Sequence, residues 1–103
     1  MFSAVGIGFL VAADKLTKIV PHLRVKVAYF QMAQYVDLSE EYFDLQNPAS
    51  LRDLLNAVSQ RHPLLSPQMM AAMLILVQGA PTRNNVALNG GEEVDLIPLV
   101  AGG

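Results

Sequence analysis

From His22 onward, apolar and polar residues alternate in short bursts separated by turn-forming residues. Leu23, Val25, Val27 and Tyr29 alternate with Arg24, Lys26 and Ala28. That is the period of a strand buried on one face, so a first strand is predicted over 23–30. A polar connection, 31–39, leads to a second strand over 41–45 with Phe43 and Leu45 on one face. Asn47-Pro48 is then expected to open a helix, Asn as N-cap and Pro at the first helical position. Leu51, Leu54, Leu55 and Val58 follow at i, i+3, i+4 and i+7, the stripe of a helix laid on a sheet. Arg61 and His62 fall in its last turn, where positive charge suits the dipole, and Pro63 stops it.

Ser66-Pro67 begins a second, shorter helical turn through Met69, Met70 and Met73, methionines whose spacing suits core filling. Leu74 to Val77 is an apolar run of strand length, closed by the turn cluster Gln78-Gly79-Ala80-Pro81. Val86 to Leu88 is a short strand, Asn89-Gly90-Gly91 a turn, and Glu93 to Val100 the last strand. There Val94, Leu96 and Pro98 alternate against Asp95, Ile97 and Leu99. The order strand, strand, helix, strand, short strand, strand predicts an α+β fold. One main helix lies across a single mixed sheet of four to five strands, a β-grasp arrangement.

Residues 1–21 stand apart as an N-terminal extension punctuated by Pro21, which leaves 22–103 as the β-grasp domain. Within the extension Phe9, Ala12, Ala13, Leu16, Ile19 and Val20 recur at helical spacing, so a short amphipathic helix is expected after Gly6 and Gly8.

Composition narrows the function. A length of 103 residues suits one domain. With 52% hydrophobic and 16% charged residues the chain is not intrinsically disordered. Seven Lys plus Arg, thinly spread, and a net charge of −2 provide no basic stripe for nucleic acid. Without cysteine there is no disulfide, thiolate metal site or thiol nucleophile. Two histidines, His22 and His62, cannot make a multi-His metal site. The apolar run from Ala4 to Ala13 is shorter than the ~20 residues of a membrane span. Met1 to Ser3 carries no positive charge to precede a secretory signal. A soluble, cytoplasmic protein is expected. No P-loop, Ser–His–Asp order or dinucleotide fingerprint is present. Glu92, Glu93 and Asp95 read first as solvated strand-edge charge, and second as a match for a basic partner surface or Mg²⁺.

The remaining chemistry lies at the end of the chain, Leu99-Val100-Ala101-Gly102-Gly103. A hydrophobic strand runs out into three small residues and a carboxylate. Glycine lacks Cβ, so such a tail can thread a narrow channel and present its carboxylate without a side chain in the way. A carboxylate is a poor electrophile, so this use demands activation, for instance as an acyl-adenylate. The alternative is a frayed terminus.

Four stretches of this sequence carry a resemblance: LRVKVAYF in the first strand, NPASLRDLLNAV in the helix, LILVQGAPT in the third strand and its turn, and NGGEEVDLIPLVAGG at the end. Over 23–103 the chain resembles the ubiquitin-like sulfur carriers of the MoaD and ThiS type, and within them the small subunit of molybdopterin synthase. The resemblance implies a non-catalytic carrier whose Gly103 carboxyl, next to Gly102, is adenylated and converted to a thiocarboxylate. Sulfur then passes to a pterin precursor in molybdenum cofactor biosynthesis. It implies two partners, an adenylyltransferase resembling the ubiquitin-activating class, which uses ATP, and a large synthase subunit that carries out the catalysis. Pro98, Leu99, Val100 and Ala101 are the expected partner contacts, and no tightly bound cofactor or metal is expected. Two uses of the same terminus stay open: a ubiquitin-like modifier joined to lysines, and a thiamine-pathway sulfur carrier. A further alternative is an interaction module with a tail of no function. The chain departs from the family at Gln31 to Gln34, where a charged Arg-Glu pair is common, and at Gln78-Gly79 in place of Asn-Gly.

Overall fold

The computed structural model describes residues 21–99. The helix expected in the extension, and Val100 to Gly103, lie outside the described residues. Strands β1 (His22–Tyr29), β2 (Glu40–Gln46) and β3 (Ala49–Ser50) precede helix α1 (Leu51–Arg61). After the short helix α2 (Pro67–Ala71) come β4 (Leu74–Val77), β5 (Ala80–Pro81), β6 (Ala87–Leu88) and β7 (Glu93–Ile97).

Five strands form one sheet in the order β2-β1-β7-β4-β5. The central pair β1–β7 is parallel and the others are antiparallel. This is the mixed β-grasp sheet that the alternation predicts. Parallel neighbours need a crossover, and α1 lies within it, packed over one face. Val25, Val27, Phe43, Val94 and Leu96 point inward to meet Leu54 and Val58, all at most 2% exposed. Burial of each such side chain stabilises by about 1.5–3 kcal/mol. Met70 is fully buried, while Met69 and Met73 pack half-buried beside it, as core fillers.

The start of α1 corrects the sequence reading. Asn47-Pro48 is a cis peptide ahead of the helix, and Asn47 N–H donates to the Pro21 carbonyl at 2.9 Å. Ala49 and Ser50 then pair with Leu88 and Ala87 in a separate two-stranded ladder. The N-cap is Ser50: its Oγ accepts from Asp53 N–H at 3.2 Å, and Asp53 Oδ2 accepts from Ser50 N–H at 2.8 Å. This capping box was present in the sequence as Ser-x-x-Asp. Backbone ladder bonds to β6 claim Ala49 and Ser50, so the Asn-Pro signal could not start the helix where it stands.

The final strand also ends sooner than its apolar run suggests. Ile97 pairs with Leu74, the first residue of β4, and Pro98 has no N–H with which to extend the ladder. At the other hairpin only Gln78 and Gly79 make the turn, both at positive φ (52° and 80°), while Ala80 and Pro81 pair back onto β4.

Candidate functional site

β7 sits between β1 and β4 and delivers the C-terminal residues to one end of the sheet. Val94 and Leu96 anchor it in the core at 0% exposure. On the β1 side Phe30 N–H donates to the Leu96 carbonyl at 3.2 Å, and on the β4 side the ladder runs to Ile97. Beyond it Pro98 is half-buried and Leu99 is 58% exposed. Val100, Ala101, Gly102 and Gly103 lie outside the described residues, so Pro98 and Leu99 are the predicted contact residues that the structure places.

The sheet face opposite α1 divides into two halves. Toward the start of β1 it is charged. Arg24 pairs with Asp44 at 3.0 Å and lies over the Tyr42 ring, 5.5 Å from its centre. Lys26 Nζ reaches Glu40 at 3.1 Å and Glu93 at 3.7 Å. Toward the exit of β7 the face is apolar: Leu74 stands beside Ile97 and Leu76 beside Pro81, and Phe30, bonded through its N–H to the Leu96 carbonyl, is 44% exposed. Asp95 lies where the halves meet, opposite Ala28 and Leu76. Burial, aided by Glu93, raises its carboxyl to about 6 against the pull of Lys26. β7 lies inside the sheet between β1 and β4, so Glu93 and Asp95 are not on a sheet edge as the sequence reading expected.

The sequence did not disclose two other features. A groove of about 780 Å³ runs between α1 and the β4–β5 edge, lined by Leu51, Leu55, Met73, Leu74 and Leu99 with Arg52 and Arg83 at its polar margin. Leu99 thus borders both the groove and the start of the tail. At the far end of α1, Glu41 gathers three donors. Tyr29 Oη donates to Glu41 Oε2 at 2.5 Å, Arg61 Nη1 donates to Oε1 at 3.0 Å, and His62 Nε2 meets Oε2. The His62 and Tyr29 rings pack edge to face at 5.7 Å. His62 is the C-cap residue, but its ring is spent on Glu41 and fastens the helix end to β1 and β2. Burial works against ionisation of Glu41, and the three hydrogen bonds outweigh it, so its carboxyl falls below the ordinary value. Burial, followed by the bond to Glu41, pushes the Tyr29 hydroxyl upward. Among the described residues no group of three His, Cys, Asp or Glu side chains is set to hold a metal ion, and no helix is long and apolar enough to cross a membrane.

A family model described as the ThiS family matches residues 27–103, from the end of β1 to the final glycine. The chain belongs to the ThiS family. This ThiS-family chain is 32% identical over 83 residues to the molybdopterin synthase sulfur carrier subunit of Chlamydomonas reinhardtii, covering 79% of itself and 100% of that relative. In a solved complex of subunits 1 and 2 of molybdopterin-converting factor from Helicobacter pylori, a chain matches it with a TM-score of 0.53 and 26% identity. The match covers 79% of this chain and 100% of that one. Small archaeal modifier protein 1 of Haloferax volcanii superposes with a TM-score of 0.68 at 21% identity, covering 76% of this chain and 99% of that one. The last similarity concerns the fold alone. In this ThiS-family member, residues 1–26 precede the matched segment.

Proposed function

We propose that this protein is the sulfur carrier of a molybdopterin synthase. The carboxyl of Gly103 is adenylated by an ATP-using enzyme of the ubiquitin-activating kind, with loss of pyrophosphate. A sulfur donor then displaces AMP to leave a terminal thiocarboxylate. The tail enters the active site of a large synthase subunit, which catalyses sulfur transfer to the pterin precursor. Pro98, Leu99, Val100 and Ala101 contact that subunit, and Gly102 keeps the approach free of side chains.

The observation that carries this reading is the exit of β7. Its ladder stops at Ile97, so the chain leaves the core beside an apolar half-face, with Leu99 outward. Similarity to a sulfur carrier subunit along that relative's whole length supports the same role. A modifier would use the same terminus on target lysines. Lys26, the only lysine of the 22–103 domain, is engaged by Glu40 and Glu93, which disfavours chains built on this protein itself.

Intact-mass measurement after incubation with ATP, the cognate activating enzyme and a sulfur source tests the proposal. A gain equal to replacing one oxygen by sulfur, lost when Gly103 is deleted, is the expected result. Unchanged mass with an activating enzyme shown to be active removes the carrier reading. Adducts linked through Gly103 to other proteins move the assignment to a modifier.

A further inference from the structure

Asp95 occupies the centre of the open sheet face, in a row that runs Glu40, Ala28, Asp95, Leu76, Pro81 across all five strands. Its immediate partners in that row are apolar, and the next pair toward the exit is Ile97 and Leu74. Asp95 Oδ1 is buried without a hydrogen-bond partner among the described residues. Lys26, which could answer it, is held by Glu40 and Glu93. A buried carboxylate oxygen without a donor costs the isolated domain stability. A β-branched apolar residue would fill the same mid-sheet position without that cost. The residue as a whole keeps part of its surface open, and rotation about the last torsion of an aspartate is broad, so either oxygen can turn outward.

We infer that Asp95 is a specificity-determining residue of the docking face, where it receives an arginine or lysine side chain of the large synthase subunit. Apolar side chains of that subunit cover Leu74, Leu76 and Ile97 around it. This rests on the carrier reading above. Charge complementarity names the occupant: Glu40, Asp44, Glu93 and Asp95 face outward here against Arg24 and Lys26, whose charges are taken up by Asp44 and by Glu40 and Glu93. Covering the apolar rim removes water from the carboxylate, where an unmatched charge is expensive and a matched one selective. A partner presenting only apolar groups, or an acid, at this point is rejected.

The test is calorimetric titration of the full chain into the large subunit, for wild type, Asp95→Asn and Asp95→Leu, with thermal melts of each free chain. Both variants are expected to melt at or above wild type and to bind roughly tenfold more weakly or worse. Asp95→Lys is expected to bind weaker still, and to be rescued by replacing the matching cation of the large subunit with glutamate. Variants that bind as well as wild type, or a tighter Asp95→Leu, overturn the assignment of Asp95 while the carrier reading stands. A wild-type chain that does not bind the large subunit overturns both.

Discussion

Gln78 and Glu93 are joined twice: the Gln78 N–H donates to the Glu93 carbonyl at 2.9 Å, and the Gln78 Oε1 accepts from the Glu93 N–H at 2.6 Å. The residue also takes the first positive-φ position of the β4–β5 turn, where asparagine is the usual choice. The longer side chain explains the departure, because it reaches across to the first residue of β7. Gln78→Ala removes that acceptor and keeps the unfavourable φ, so a loss of about 1–2 kcal/mol is expected from the denaturant midpoint. Sulfur loading of the terminus should be unchanged in the mass assay.

Ser50→Ala deletes one half of the capping box of α1 and is expected to cost about 1 kcal/mol. Asn47→Ala leaves the box intact, and its melting curve should stay nearer to wild type than that of Ser50→Ala. The reverse ranking would return the N-cap to Asn47.

Glu41→Gln weakens a site that ties both ends of the same contact, and about 1.5–3 kcal/mol is the expected loss near neutral pH. The folded carboxyl is lowered from the ordinary 4.5. Its contribution is therefore complete above that value and disappears as the pH falls through the lower folded value. Wild type and variant should converge in stability on acidification. A constant gap down to strongly acidic pH would refute the ionic account.

For Asp95 the sign is opposite. Its folded carboxyl is raised from 3.8 to about 6, so between those values the folded chain holds more protons than the unfolded one. Stability from this group declines as pH rises across that window and is flat above it. Asp95→Asn removes the slope, which paired pH titrations of the melting point will detect. Glu93 raises this carboxyl and Lys26 lowers it, so the difference between the two chains reads Asp95 together with those two contacts.

Leu99→Glu places a charge on an exposed residue beside the tail. Folding stability should change by no more than about 0.5 kcal/mol. Affinity for the large synthase subunit should fall roughly tenfold or more if Leu99 is a buried anchor of the complex. Equal affinity would remove Leu99 from the proposed interface.

The period-two runs in β1 and β7 and the helical stripe Leu51, Leu54, Leu55, Val58 made the strands, the main helix and the inward faces legible before any coordinates. A residue's side of a strand or helix follows from its spacing alone. Other features joined residues far apart in the chain. Three elements converge on Glu41, Gln78 reaches Glu93, and Asp95 is enclosed by β1 and β4. Alternation marked Asp95 as outward but could not tell that its neighbours would seal one oxygen from water. Nor could an Asn-Pro dipeptide announce that β6 would capture the two residues after it. Periodicity, and with it the side each residue takes, was written in the sequence. The helix start, the divided sheet face and the unpartnered carboxylate were decided by tertiary structure, because burial and hydrogen-bond competition depend on which strands become neighbours.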